Sequence, residues 1–279
     1  MSKTNGAIPL LGFGVYALAQ DVTELAVGRA LEAGYRHIDT AQSYKNEAAC
    51  GAAVAASGLP RAEVFLTTKV TPLNFAVGKM LPSLRQSADR LGVDCIDLVL
   101  IHYPSPWDEL PLEVYIEQLG EAQEAGLAAQ IGVSNFTRAQ MDRTVEILGP
   151  GRLATNQVEI HVYHQNRKVV DHCRKLGIPA TAYCALARGM LFGIPEAGLG
   201  PHPLLLELAA KHAASVAQIG LAFLLAEGHV TLCTATDPEQ IADNFAAGSL
   251  RLDAQDLASL RGLDMNKRIV EMPYFPIFD

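Results

Sequence analysis

Asp39, Tyr44, Lys69 and His102 have the side-chain types needed to hand a proton to a polarised oxygen. A free phenol has a pKa of ~10, too high for easy donation at neutral pH, and a nearby ammonium lowers it by stabilising phenolate. Lys69 supplies that ammonium. Asp39 keeps it charged and oriented, and His102 can position the same substrate oxygen or relay the proton. Together they are expected to act as a general acid with a tuned pKa. Taken singly, each has an ordinary reading: Asp39, Lys69 and His102 as strand-end loop residues, Tyr44 as rim packing. Their positions argue for more. Asp39, Lys69 and His102 each close a short apolar run, and Tyr44 follows Asp39 by five residues.

The elements that must position these residues alternate in type. Strand-like runs cover Leu10–Tyr16, Arg36–Asp39, Val64–Lys69, Leu98–His102, Gln130–Val133, Ala154–Val158, Ala180–Tyr183 and Val230–Cys233. Helical periodicity covers Asp21–Ala33, Glu47–Ser57, Phe75–Leu91, Pro111–Ala125, Thr137–Leu148 and Asn166–Leu176, then Pro203–His212, Ser215–Ala226, Pro238–Ala246 and Ala254–Leu263. Gly34, Gly92, Gly126 and Gly177 follow helical patterns as stop signals. Asp21, Thr137 and Asp237 read as N-caps, with Pro238 at a first helical position. Strand–helix units in this number close into a (β/α)8 TIM barrel, α/β in class, with function on the strand C-terminal ends. In such a ring the second, third and fourth strands are neighbours, so the four residues converge over one rim. The rival is a doubly wound open sheet. Its glycine fingerprint fails here, because Gly12-Phe13-Gly14 lacks a third glycine at the required spacing. Residues 1–279 are expected to form a single domain, with 264–279 a C-terminal tail near the substrate pocket.

With 22 basic and 30 acidic residues, a net charge of −8, the chain is unsuited to tracking nucleic-acid phosphates. Apolar runs such as Ile219–Ala226 are far short of the ~18 residues of a membrane span. The first residues lack an apolar signal core, and Cys50, Cys95, Cys173, Cys184 and Cys233 are scattered. A cytoplasmic protein with reduced thiols is expected, and nothing demands more than a monomer. His161 and His164 have no carboxylate pattern to make a metal site and read as a solvated loop. Glu159 lacks the second strand-end carboxylate of a barrel glycosidase. Val22, Leu25, Ala26, Ala30 and Leu31 fall largely on one helix face, expected to pack on the barrel.

The segments Gly34-Tyr35-Arg36-His37-Ile38-Asp39-Thr40-Ala41, Tyr44 with Asn46-Glu47, Thr68-Lys69 and Leu100-Ile101-His102-Tyr103-Pro104 resemble aldo-keto reductase motifs. So do Ile131-Gly132-Val133-Ser134-Asn135-Phe136 and Asn156-Gln157-Val158-Glu159. The resemblance runs the length of the chain and is nearest to the short bacterial 2,5-diketo-gluconate reductase B type. It implies a nicotinamide-dependent carbonyl reductase with NADPH or NADH as cofactor and a small aldehyde, dicarbonyl or keto-sugar as substrate. Tyr44 would be the proton donor, tuned by Lys69 and Asp39, and His102 would orient the carbonyl. Ser134, Asn135 and Gln157 would hold the nicotinamide carboxamide, and Tyr183 would stack on the ring. Leu186, Arg188 and Gly189 would approach the diphosphate, and Asn244 the adenine. Val15, Tyr16, Tyr103, Trp107 and the tail residues Tyr274, Phe275 and Phe278 would line the substrate pocket.

Several positions depart from the family pattern. Gly14-Val15 stands for Gly-Thr, Cys184-Ala185 for Ser-Pro, Cys233-Thr234-Ala235 for Pro-Lys-Ser, and Gln240 for an arginine. These changes touch the site that reads the adenosine 2′-phosphate. Thr234 would keep one hydroxyl for it, and NADH would be used within about tenfold of NADPH or preferred. Two other readings of the same residues remain: a Schiff-base aldolase using Lys69, and a non-catalytic nicotinamide-sensing subunit.

Overall fold

The computed structural model describes residues 7–193 and 200–273. Tyr274, Phe275 and Phe278 lie outside the described residues. Parallel strands follow one another around a closed barrel in chain order. They are β1 (Leu11–Gly14), β2 (His37–Asp39), β3 (Phe65–Val70), β4 (Ile96–Ile101), β5 (Ala128–Ser134), β6 (Leu153–Glu159), β7 (Ala180–Tyr183) and β8 (Val230–Cys233). Pairing of β1 with both β2 and β8 closes the ring. The helices are α1 (Gln20–Ala33), α2 (Glu47–Ala56), α3 (Met80–Leu91), α4 (Leu112–Glu124), α5 (Arg138–Leu148), α6 (Arg167–Lys175), α7 (Pro203–His212), α8 (Val216–Ala226), α9 (Pro238–Ala246) and α10 (Ala254–Arg261).

Strands buried on both faces have no polar side, so β3 and β4 are buried along their whole length. Close approach inside the ring demands small residues. A Cβ on Gly132 would meet Leu100 Cδ2 at 2.7 Å and the Thr155 carbonyl at 2.9 Å. Gly34 ends α1 at φ 112°, where a side chain would also strike the Phe245 ring at 2.6 Å. Thr137 closes a reciprocal capping box with Gln140 at the start of α5, and Asp237 accepts from the Glu239 and Gln240 amides at the start of α9.

Four local expectations are corrected. The first helix starts at Gln20 with Ala19 at its N-cap, so Asp21 sits inside the first turn and is not the cap. Its buried face is Thr23, Ala26, Val27, Ala30 and Leu31, while Val22 and Leu25 are exposed. The segment beginning at Phe75 turns helical only at Met80, because Gly78 takes φ 76° and donates its amide to Gln118 Oε1. His161 and His164 are buried and not solvated, under the chain that follows α10. No single helix among the described residues is long and apolar enough to cross a membrane.

Buried histidines make stability depend on pH. His37 is enclosed, with Nε2 2.9 Å from Thr67 Oγ1, and burial lowers its pKa from 6.5. Burial, helped by Arg174, lowers that of His229 to about 4. Both pKa values are depressed by folding, so their stabilisation is complete above the unfolded value and is lost as pH falls through it. Each ring then costs up to about 1.4 kcal/mol per pH unit. Urea unfolding at about pH 5 is expected to give a free energy roughly 2 kcal/mol or more below that at about pH 7. Equal unfolding free energies at the two pH values would contradict this.

Candidate active site

The register β2–β3 sets Asp39 beside Thr67, and β3–β4 sets Lys69 beside Leu100. Lys69 crosses this corner. Its Nζ lies 2.5 Å from Asp39 Oδ1 and 3.0 Å from the Thr40 carbonyl, and both side chains are nearly inaccessible. The other Asp39 oxygen accepts from Gln157 Nε2 at 2.8 Å across the barrel mouth. Lys69 Nζ also lies 5.1 Å from the Tyr44 ring centroid.

Tyr44 rides a single three-residue helical turn, Gln42–Tyr44, between β2 and α2. The flanks of this turn are fixed. Gln42 donates to Ser83 and Ser87 at 3.1 Å and accepts from the Thr71 amide and Asn74. Buried Asn46 donates to the Val15 and Leu18 carbonyls and accepts from Thr40. An aromatic run follows along the rim: Tyr16 to Tyr44 at 5.1 Å, Tyr44 to His102 at 5.5 Å, His102 to Tyr103 at 5.3 Å.

The expected lowering of the Tyr44 pKa is corrected. Burial, and then the Asp39 charge, raise it well above 10. Lys69 directs its protons at Asp39 and Thr40 and faces the ring from below, so the resting site holds Tyr44 firmly protonated. Burial and the Lys69 charge push the His102 pKa down to about 3, leaving a neutral imidazole.

A cavity of about 870 Å³ runs from these residues to the ends of α8 and α9. Its lining includes Ser134, Asn135, Gln157, Tyr183, Leu186, Arg188, Gly189, Thr234, Gln240 and Asn244. The Tyr183 hydroxyl donates to Asn135 Oδ1 at 2.7 Å, which tethers the edge of the ring. Ser134 Oγ donates to the Gln157 carbonyl, and Asn135 Nδ2 to the His102 carbonyl. A long cleft with amide and hydroxyl groups and a tethered aromatic ring beside Tyr44 fits a nicotinamide dinucleotide. Of the described lining residues, Arg188 alone carries a fixed positive charge, on a loop where Arg188 and Gly189 both have positive φ. Its charge is of the sign that suits a diphosphate.

Some expectations for the cavity do not hold. Val15 is wholly buried and Gly14 lines the cavity in its place, because β1 ends at Gly14 and Val15 turns inward, its amide on the Asp39 carbonyl. Trp107 is 69% exposed and is not among the described lining residues. Its loop turns through positive φ at Trp107 and Asp108, which carries the indole outward. Thr234 Oγ1 donates to the Gly14 carbonyl at 2.7 Å and so is already engaged. Sequence reasoning missed Asp243, which accepts from Ser215 at 2.5 Å on the cavity wall. It also missed the use of Glu159, whose carboxylate accepts from the Ile269 and Val270 amides at 2.6 and 2.8 Å and from His161. That grip places Val270 and Met272 on the cavity wall. Backbone donors leave no side-chain trace in a sequence, so only the isolated strand-end carboxylate hinted at it.

Comparison with known proteins agrees with this geometry. The profile of the aldo/keto reductase family matches residues 11–265. Methylglyoxal reductase DkgB of Escherichia coli O157:H7 is 42% identical over 264 residues, which cover 95% of this chain and 96% of that protein. The aldo-keto reductase of Bombyx mori, solved in complex with NADP, superposes with a TM-score of 0.86 at 33% identity, covering 97% of this chain and 95% of that one. The aldose reductase of Schistosoma japonicum gives 0.89 at 26% identity, covering 98% and 96%. A nicotinamide-dependent oxidoreductase on a closed eight-stranded barrel, the chain belongs to the aldo/keto reductase family.

Proposed function

We propose that the chain reduces small uncharged aldehydes and dicarbonyls, with Tyr44 protonating the oxygen. A bound reduced nicotinamide supplies the hydride. His102, neutral, orients the carbonyl oxygen against the Tyr44 hydroxyl. As negative charge develops on that oxygen it becomes more basic than a phenolate, and the Tyr44 proton crosses to it. The phenolate left behind sits over the Lys69 ammonium, which Asp39 and Gln157 hold in place, until solvent returns the proton. The observation that carries this reading is the Lys69–Asp39 pair lodged beneath the Tyr44 ring. The Lys69 amine is taken up by a carboxylate and a backbone carbonyl, which leaves it poorly placed for Schiff-base attack.

Tyr44→Phe removes only a hydroxyl, so cofactor binding should persist while kcat falls by the ~10²–10⁴ typical of general acid catalysis. Retention of more than about a tenth of the wild-type kcat would contradict the assignment. Lys69→Met keeps the stem and removes the charge, and an equally large fall is expected. Unchanged turnover in that variant would leave Lys69 a packing role only.

The substrate class follows from the lining. Tyr16, Tyr103, Val270 and Met272 give apolar surface near Tyr44, and the fixed cation Arg188 lies on the loop after β7. Tyr16, Tyr103, Val270 and Met272 themselves offer a substrate carboxylate no opposite charge. Methylglyoxal is therefore expected to give a kcat/KM at least about tenfold above that of 2,5-diketo-gluconate, the ~1.4 kcal/mol of one unmatched charge. The reverse order would sink this choice of substrate.

The adenosine end bears on cofactor choice. Thr234 is engaged with Gly14, and Asp237 occupies the first amides of α9. Arg29, which donates to the Thr236 carbonyl at 3.2 Å, is the cation held on that loop. NAD⁺ and NADP⁺ should bind with Kd values within roughly tenfold of each other by calorimetry, or with NAD⁺ tighter. A NADP⁺ preference of about a thousandfold, ~4 kcal/mol, would contradict this, and its collapse in Arg29→Ala would name the cation responsible.

A further inference from the structure

Ser43 has no part in the reaction as described so far. It precedes Tyr44 in the same short turn, lines the cavity, and sets its Oγ 3.2 Å from His102 Nδ1. We infer that Ser43 is a positioning residue: its hydroxyl donates to Nδ1 and keeps the imidazole proton on Nε2, the nitrogen left to meet the carbonyl. This inference rests on the proposed reduction and names a further residue for it.

The argument is one of proton placement. A neutral imidazole has one N–H and one lone pair, and the contact made by one nitrogen decides which of them the other offers. A carbonyl oxygen can only accept, so His102 is useful to it only with the proton on Nε2. A serine hydroxyl can donate or accept. Only the donating orientation leaves Nε2 protonated, and it leaves both serine lone pairs to solvent or to a hydroxyl on the substrate.

The surroundings hold this contact in place. On the imidazole side, the His102 amide donates to the Val70 carbonyl, and its own carbonyl accepts from Asn135 Nδ2 at 3.1 Å. On the serine side, Gln42 and Asn46 fix both flanks of the turn through their bonds to the segment after β3, to α3 and to the segment after β1. The backbone of Ser43 is therefore held together with that of Tyr44, which sets the hydroxyl within reach of Nδ1. One rigid turn sets the acid and the orientation of its neighbouring donor together.

The test is the ¹⁵N spectrum of histidine-labelled protein at neutral pH, with the His102 signals assigned by their loss in His102→Asn. Wild type should give a pyridine-type Nδ1 and a pyrrole-type Nε2. Ser43→Ala should move both nitrogens towards averaged values and lower kcat roughly three- to tenfold, the effect of one hydrogen bond, with cofactor Kd unchanged. Ser43→Thr keeps the hydroxyl and should restore both. A wild-type spectrum with the proton on Nδ1, or a Ser43→Ala spectrum identical to wild type, overturns the inference. The spectrum is read without turnover. A Tyr44→Phe enzyme that stayed active would thus remove Tyr44 as the proton donor while leaving the Ser43 contact to be judged on its own signal.

Discussion

Lys69 and Asp39 are both withdrawn from water, and neither charge could be so placed alone. An unpaired charge in such a site is strongly unfavourable, and removing one partner of a buried pair typically costs ~3–5 kcal/mol. The pair persists because its remaining hydrogen-bonding capacity is met: Lys69 by the Thr40 carbonyl, Asp39 by Gln157. The pair sits on β2 and β3 and its partners come from the residue after β2 and from β6, so it is satisfied only when these parts of the barrel have come together. Closure also brings the Tyr44 ring over the ammonium. The fold and the proposed chemistry thus share one constraint, and the Lys69–Asp39 corner is a stability-sensitive part of the ring.

The turn carrying Tyr44 meets that corner from outside the barrel. Its side-chain brackets, Gln42 and Asn46, are polar residues whose bonds are directed into neighbouring segments. This is the usual way for a loop at a strand C-terminal end to gain the precision that catalysis needs, since the loop has no ladder of its own. On the opposite side, Glu159 performs a related task, gripping backbone amides so that the chain after α10 becomes a wall of the cavity. His161 and His164 are buried by the same segment.

What was legible in the sequence follows from these two kinds of positioning. Asp39, Lys69 and His102 could be found because a polar residue closing an apolar run is visible locally, and strand order then makes neighbours of them. Tyr183 at the end of β7 and Thr234 after β8 were readable through the family resemblance. Ser43 and Asp243 were not, because their importance lies in partners supplied by distant segments. Val15 and Trp107 misled because two residues of loop geometry decide whether a side chain turns in or out. The sign of the Tyr44 pKa shift was also hidden. Pairwise chemistry suggests a lowered value, but burial outweighs a lysine already engaged with a carboxylate.

If the contribution of Asp39 to turnover runs through its hold on Lys69, the two residues form one unit and their losses will not multiply. A double-mutant cycle with Asp39→Asn and Lys69→Met, read as the single-turnover rate of hydride transfer at saturating cofactor, tests this directly. The account predicts that the double variant is about as slow as the slower single variant. Losses that multiply, so that the double variant falls by the product of the two single effects, would contradict it.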